Sequence, residues 1–218
     1  MHSIEKSIHR NIVKAFPKGL ERVAPSLQIG VVQNGKKLAQ LQFGQEYKYF
    51  DLASLTKILF SSSYLMHLVS QNTINWADRL SWFLPELDHK NISFKQVLTH
   101  TAGLASWHPY YKSLISLSEK EKWPWLLEKI NQEKILKGPH KSLYSDLDFM
   151  LIALSLMALQ EKSLLHCWRD LKKHYSPSRL HFCVNNKAKY TPSEYAPTEN
   201  CKWRKRRLQG EVHDDNTW

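Results

Sequence analysis

The stretch FDLASLTK at residues 50–57 places a serine three positions before a lysine, where an extended segment gives way to an apolar helix. Because three residues make nearly one helical turn, the hydroxyl of Ser54 and the amine of Lys57 face the same side. A helix N-terminus disfavours the charged form of lysine and favours negative charge that develops on a substrate oxygen. The four residues from Ser54 to Lys57 therefore combine a nucleophile, a base and one backbone donor for an oxyanion.

The S-x-x-K spacing by itself is not diagnostic. The chain has 21 serines and 23 lysines, so about two matches are expected by chance. Two occur, at Ser3–Lys6 and at Ser54–Lys57. Ser54 opens an apolar helix, whereas Ser3 lies in a charged N-terminal segment. The alternative role for Ser54 is that of a helix N-cap.

Periodicity and turn residues predict the elements on either side of residues 50–57. Apolar residues at helical spacing predict an opening helix over residues 3–16. Alternation over residues 27–31 and 39–43, with Asn34-Gly35 as a two-residue turn, predicts a β-hairpin. Further helices are predicted over residues 56–70, 76–83, 93–99, 119–131 and 149–159.

Two details refine these helices. Ser118 and Glu121 form the capping-box pattern at the start of the helix over 119–131. The apolar stretch at 149–159 is far shorter than the ~20 residues that a membrane span needs, so it is predicted to be a buried helix.

Beyond Glu161 the sequence is polar, basic and rich in prolines, which predicts loops with short strands or helices.

Composition excludes several classes of protein. There are 31 Lys and Arg against 20 Asp and Glu, which gives a formal charge of +11. None of the 7 glycines has the spacing of a nucleotide-binding loop, and we expect no cofactor. The 3 cysteines are an odd number confined to the C-terminal quarter, which favours a reduced compartment, and they form no C-x-x-C pair of the kind that binds structural zinc. Residues 1–20 show no signal-peptide core, so the expected location is the cytoplasm.

Two later runs, together with residues 50–57, resemble the ordered motifs of a known superfamily. Residues 92–104 read ISFKQVLTHTAGL, and Tyr144-Ser145-Asp146 is followed by the helical LDFML. The three runs resemble the serine β-lactamase and penicillin-binding-protein superfamily, in its class C and esterase-like branch. The last run is similar to the Tyr-x-Asn motif, with Asp146 in place of the commoner Asn. Residues 208–216 resemble a loop of esterase-like members.

The resemblance implies an α+β fold of the β-lactamase/transpeptidase type, with an antiparallel sheet and an α-rich subdomain. It implies that Ser54 attacks a carbonyl and becomes acylated, and that Lys57 and Tyr144 share the proton transfer. Asp146 would contact the substrate or hold Lys57, whose ammonium form a neighbouring carboxylate favours. The expected substrates are small esters, lactams or amides. From the residues alone, the alternative for Tyr144 is a buried core tyrosine.

The third motif of this superfamily, a Lys/His-Thr/Ser-Gly triplet on a strand, has no counterpart in the sequence. We therefore expect residues 1–218 to form one incomplete domain with an incomplete sheet, and a truncated hydrolase with little or no activity. Residues 1–50 supply the helix and hairpin of the sheet part. Residues 54–165 form the α-rich part with the first two motifs, and residues 166–218 form a basic, loop-rich part.

Three other groups of residues have alternative explanations. His100 and Gly103 are expected to shape a turn after a helix. No helix or hairpin spacing brings His166, His174 and His181 together, so no metal site is expected. The basic run over residues 202–207 suggests a second hypothesis, a non-catalytic module that binds nucleic acid or another polyanion. A solvated loop is the simpler explanation for that run, so nucleic acid is not the expected partner.

Overall fold

The computed structural model describes residues 3–136, 141–174, 179–183 and 188–216. These residues fall into two compact units. The first unit comprises the described parts of Met1–Asp51 and Cys183–His213. The second unit comprises the described parts of Leu52–Phe182 and Asp214–Trp218, and it contains Ser54, Lys57 and the two later motifs quoted above.

The first unit opens with helix α1 (Ser3–Ala15) and an antiparallel hairpin of β1 (Ser26–Gln33) and β2 (Lys36–Gly44). Ile29 lies opposite Leu41 in the register, as the alternating pattern predicts. Asn34 and Gly35 both have positive φ, 50° and 72°, which matches the twist of the two strands. The predicted hairpin is therefore confirmed, and within the described residues it is a two-stranded sheet.

The rest of the first unit has a second small hairpin, β3 (Asn200–Cys201) with β4 (Arg206–Arg207). Gly210 follows it with φ of 71°, and a Cβ atom there would lie 2.9 Å from the side chain of Ala188. Both the backbone conformation and the close approach therefore require glycine at this position.

The second unit is a group of helices packed on one another. A π-helical segment, Lys57–Ser62, runs directly into α2 (Ser63–Ser70). The remaining helices are α3 (Phe94–Leu98), α4 (Tyr111–Leu114), α5 (Glu119–Asn131), α6 (Asp146–Gln160) and α7 (Leu164–His174). The extent of the predicted helix over 56–70 and the capping box of Ser118 with Glu121 are both confirmed.

Helix α6 lies at the centre of this unit, in contact with α3, α5, α7 and the π-helical segment. It is apolar on all sides, as a helix surrounded by neighbours must be. Its fully buried residues include Leu147, Leu151, Ile152 and Leu156. Among the described residues, no single helix is long and apolar enough to cross a membrane, and α6 and α7 pass that test only as a pair bent by 81°.

The prediction of a helix over residues 76–83 is wrong. The backbone N–H of Ala77 bonds to the side chain of Asn75, and the N–H of Asn75 bonds to that of Asp78. Such short polar side chains compete with helical hydrogen bonds. The backbone then pairs with residues 92–95, and only Leu80–Trp82 forms a 3-10 turn. Sequence reasoning also did not assign α7, which forms the first long element beyond Glu161.

Candidate active site

Ser54 lies in a tight turn just before the π-helical segment. The N–H groups of Leu55, Thr56 and Lys57 bond to carbonyls three residues back, at 2.8, 3.1 and 3.0 Å. The N–H of Ser54 takes no part in these hydrogen bonds. Ala53 has φ of 44°, which is uncommon for a residue with a Cβ atom and is typical of functional sites. The turn thus places Ser54 on an exposed surface.

Lys57 begins the π-helical segment, a wide form of helix that is also frequent at functional sites. The Ser63 side chain donates a 2.9 Å hydrogen bond to the carbonyl of Ile58 in this segment. Helical periodicity in the sequence does not distinguish such a segment from an α-helix, so the π-helical form was not predicted.

Three of the predicted side chains meet at the Ser54 hydroxyl. Lys57 Nζ donates to Ser54 Oγ at 3.0 Å, and the Tyr144 hydroxyl donates to the same oxygen at 2.7 Å. Tyr144 is 50% exposed, so it is not the buried core tyrosine of the alternative explanation. The hydroxyl of Ser54 is likewise held by two side chains and does not act as a helix cap.

Asp146, the fourth predicted residue, forms an ion pair with Lys57. Its Oδ1 lies 2.9 Å from Lys57 Nζ, and the two side chains are only 20% and 17% exposed. Burial alone lowers the pKa of Lys57, but hydrogen bonds with Tyr144 and Asp146 and the charge of Asp146 outweigh burial. The pKa of Lys57 is therefore raised above its ordinary value, and the side chain is an ammonium group at neutral pH.

The backbone after α3 holds Tyr144 and Asp146 in place. The N–H of Leu143 bonds to the carbonyl of His100 at 2.9 Å, and the N–H of Asp146 bonds to that of Ser106 at 2.8 Å. The hydroxyl of Ser145 donates to the carbonyl of Ala105 at 2.7 Å. The second and third quoted runs therefore lie side by side, and these hydrogen bonds hold Tyr144 where its hydroxyl reaches Ser54.

Sequence reasoning missed the contacts of two residues, His100 and Asp148, next to the cluster of Ser54, Lys57 and Tyr144. His100 has φ of 56° and shapes the turn after α3, as predicted, but its ring also packs 4.7 Å from the ring of Tyr144. Its Nδ1 atom lies 2.9 Å from the carboxyl of Asp148, which is only 1% exposed. An aspartate at the start of an otherwise apolar helical stretch was the one signal in the sequence that could have indicated this contact.

The other histidines that the sequence singled out have separate neighbours. His166 bonds through Nδ1 to the hydroxyl of Ser163 at 2.8 Å. His174 stacks on His67 with ring centroids 4.8 Å apart. His181 bonds through Nδ1 to the carbonyl of Arg179 at 3.0 Å. The structure therefore does not bring the three together.

The basic run over residues 202–207 is partly neutralised within the first unit. Arg204 donates to the carbonyls of Val212 and His213 and stacks on the ring of Trp203, 4.8 Å from its centroid. Arg206 donates two hydrogen bonds to the carboxylate of Glu211, whose side chain is 6% exposed. Two of the arginines are thus engaged in internal contacts, which gives the nucleic-acid hypothesis no support.

The α+β fold with an incomplete antiparallel sheet, and a serine, lysine and tyrosine at one helix end, define a β-lactamase/transpeptidase-like protein. The family model described as beta-lactamase matches residues 9–170. The match covers most of the chain, and the chain belongs to this family.

The chain is similar to several known proteins. The chain is 25% identical over 262 residues to "N-acetylmuramyl-L-alanine amidase" of Bacillus subtilis (strain 168), covering 100% of the chain and 56% of that protein. An octameric penicillin-binding protein homologue from Pyrococcus abyssi matches with a TM-score of 0.70 at 15% identity, over 96% of this chain and 51% of that one. A class C β-lactamase from Rhodobacter sphaeroides matches with a TM-score of 0.57 at 18% identity, over 72% of this chain and 46% of that one. The chain thus spans about half the length of these relatives.

Proposed function

We propose that the chain carries the acylation site of a serine hydrolase, with Ser54 as the nucleophile. The observation that carries the proposal is the convergence of Lys57 Nζ and the Tyr144 hydroxyl on Ser54 Oγ, at 3.0 and 2.7 Å. The two residues belong to separate segments, and Tyr144 is 90 positions away from Ser54. Chance S-x-x-K spacing does not account for this long-range contact.

In the proposed reaction, Ser54 Oγ attacks a substrate carbonyl carbon while its proton passes into the pair formed by Tyr144 and Lys57. The hydroxyl of Ser54 already accepts from both neighbours, so it can lose its own proton only when one of the two becomes an acceptor. The backbone N–H of Ser54 contributes one donor to the oxyanion. The bond to the leaving oxygen or nitrogen then breaks, the leaving group takes up the proton, and water hydrolyses the acyl-enzyme.

The proposed substrates are small molecules with an ester, lactam or amide carbonyl. A relative named N-acetylmuramyl-L-alanine amidase and neighbours named as β-lactamases and penicillin-binding-protein homologues support this range. A panel of p-nitrophenyl acetate, nitrocefin, a D-Ala-D-Ala peptide and N-acetylmuramyl-L-alanine separates the classes, since each reports a different leaving group.

We further propose that turnover by these 218 residues alone is slow. The sequence contains no Lys/His-Thr/Ser-Gly triplet, and the strand bearing that triplet would supply the second oxyanion donor. Loss of one such donor costs about 10²–10³ in rate. Acylation is therefore better followed as a single covalent event than as turnover.

The test is covalent labelling of the 218-residue chain with a fluorophosphonate and, separately, with a fluorescent penicillin, followed by intact mass and peptide mapping. We expect one adduct, on Ser54, that disappears in S54A. The matched control is S3A, which removes the serine of the other S-x-x-K sequence and should label like the wild type. Label that persists in S54A, or its absence with both probes from a folded chain, would refute the proposal.

A further inference from the structure

The N-terminus of α6 has one half of a capping box, and a histidine nitrogen takes the place of the other half. In an ordinary box, the cap hydroxyl accepts from the N–H three residues later, and that residue's side chain accepts from the cap N–H. Here Ser145 Oγ accepts from the N–H of Asp148 at 3.3 Å, which is the first half. In the second half, the N–H of Ser145 donates to Nδ1 of His100 at 3.1 Å, and the Asp148 carboxyl faces the same Nδ1 at 2.9 Å.

The backbone partner decides which proton lies between His100 and Asp148. The N–H of Ser145 always carries its hydrogen, so the Nδ1 atom that it faces must present a lone pair. A carboxylate oxygen at 2.9 Å from the same lone pair would be repelled, whereas a protonated carboxyl would donate to it. This contact therefore favours a proton on Asp148 and the neutral tautomer of His100 that carries its hydrogen on Nε2.

The surroundings of Asp148 favour the same protonation state. Its side chain is 1% exposed, and its Oδ1 atom has no hydrogen-bond partner among the described residues. An unpaired charge is costly to bury, more so than the gain that a helix N-terminus offers to an anion. Burial accordingly raises the pKa of Asp148 to about 8. Burial and then the charge of Lys57 lower the pKa of His100, against the opposing charge of Asp146.

We propose that Asp148 is a neutral carboxylic acid that donates to Nδ1 of neutral His100, and that this uncharged pair is a positioning element for Tyr144. The Ser145 N–H belongs to the peptide group that follows Tyr144, so its bond to His100 orients the backbone of the tyrosine. The His100 ring packs on the tyrosine ring itself, 4.7 Å between centroids. The role at Tyr144 rests on the proposed function, whereas the protonation state does not.

A neutral pair also suits the charges that face it. Lys57, Asp146 and the Tyr144 hydroxyl are the titratable groups of the site on this side of His100. An imidazolium would repel the ammonium of Lys57 and compete with it for Asp146. With Asp148 protonated, the pair of His100 and Asp148 carries no charge that disturbs the Lys57–Asp146 ion pair.

The first measurement is long-range ¹H–¹⁵N correlation NMR of the ¹⁵N-histidine-labelled chain at pH 6.5, with His100 assigned from H100Q. We expect Nδ1 of His100 to resonate as an unprotonated nitrogen and Nε2 as a protonated one. A protonated Nδ1 at this pH would overturn the proposal. This readout needs no activity, so it separates the proposal from the function of Ser54.

The second measurement is the rate of fluorophosphonate labelling in two variants of Asp148. D148N keeps a donor toward Nδ1 and should label within about threefold of the wild type, whereas D148L should lose on the order of 10- to 100-fold through misplacement of Tyr144. D170N is the matched control, because Asp170 on α7 is partly exposed and pairs with Lys162 and Lys173, and it should change neither rate nor spectrum. Equal loss in D148N and D148L, with both folded by circular dichroism, would refute the positioning role.

Discussion

The substitution D146N tests whether the ion pair with Asp146 holds Lys57 in its charged form. Asn is nearly isosteric with Asp, so the change removes the charge with little change of shape. The Asp146 Oδ1 atom lies 2.9 Å from Lys57 Nζ, and both side chains are largely shielded from solvent. We expect D146N to lower the pKa of Lys57, because it removes the carboxylate charge that raises this pKa, while the amide oxygen can still accept a hydrogen bond.

The size of the effect follows from the distance. At 2.9 Å, two unit charges attract by roughly 6 kcal/mol at an effective dielectric constant of about 20, and by roughly 1.4 kcal/mol in water. Desolvation of both ions offsets part of this attraction, so we expect a net loss on the order of 1.4–4 kcal/mol. Each 1.4 kcal/mol changes the ratio of neutral to charged Lys57 about tenfold. The neutral lysine at pH 7 should therefore become at least about tenfold more abundant.

The assay is the rate of fluorophosphonate labelling between pH 6 and pH 10, with ¹³C NMR of the Lys57 side chain as a direct titration. If neutral Lys57 accepts the proton of Ser54, the midpoint of the rate profile moves to lower pH in D146N and the rate at pH 7 rises. D170N removes an aspartate that pairs with Lys162 and Lys173 elsewhere, and it should leave the midpoint unchanged. A midpoint in D146N that equals or exceeds that of the wild type would refute the argument.

Three further predictions follow from the same contacts. Y144F removes the hydroxyl 2.7 Å from Ser54 Oγ and should slow labelling by about 10²–10⁴ without lowering the melting temperature; an unchanged rate would exclude Tyr144 from proton transfer. The pKa of Asp148 is raised to about 8 in the folded chain from 3.8, so the folded state keeps a proton that the unfolded state loses. Stability should therefore fall as pH rises between about 4 and 8, by at most about 1.4 kcal/mol per pH unit, and urea unfolding of D148N should lack this component. An equal pH dependence of stability in the wild type and in D148N would argue against a raised pKa of Asp148. L151A opens a cavity at the centre of α6 and should cost about 2–5 kcal/mol in urea unfolding, against less than about 1.5 kcal/mol for L151M.

Short-range patterns predicted most of the regular elements. The hairpin follows from alternation and from two residues that accept positive φ, and the start of α5 follows from a capping box of four residues. Each of these features is complete within a few positions of the chain, so neighbouring residues suffice to specify it. The prediction of a helix over residues 76–83 failed because hydrogen bonds to the side chains of Asn75 and Asp78, together with non-local pairing to residues 92–95, outweighed the helical periodicity.

The site was partly accessible from the sequence. Ser54 and Lys57 are one turn apart, so their contact is a local property of the helix end. Tyr144 and Asp146 were assigned only through resemblance to a family, because no spacing rule relates a residue to one 90 positions away. The pair of His100 with Asp148, separated by 48 positions, had no sequence motif that indicated it.

The sequence by itself determined which residue types are available, which helix faces are apolar and where the local turns occur. Only the tertiary structure decided which segments meet, and with them the charges of the site. Asp146 raises the pKa of Lys57 because α6 begins beside the Ser54 turn, and Asp148 keeps its proton because its surroundings exclude water. A pKa depends on burial and on charges within a few ångströms, and both are set by residues far apart in the chain.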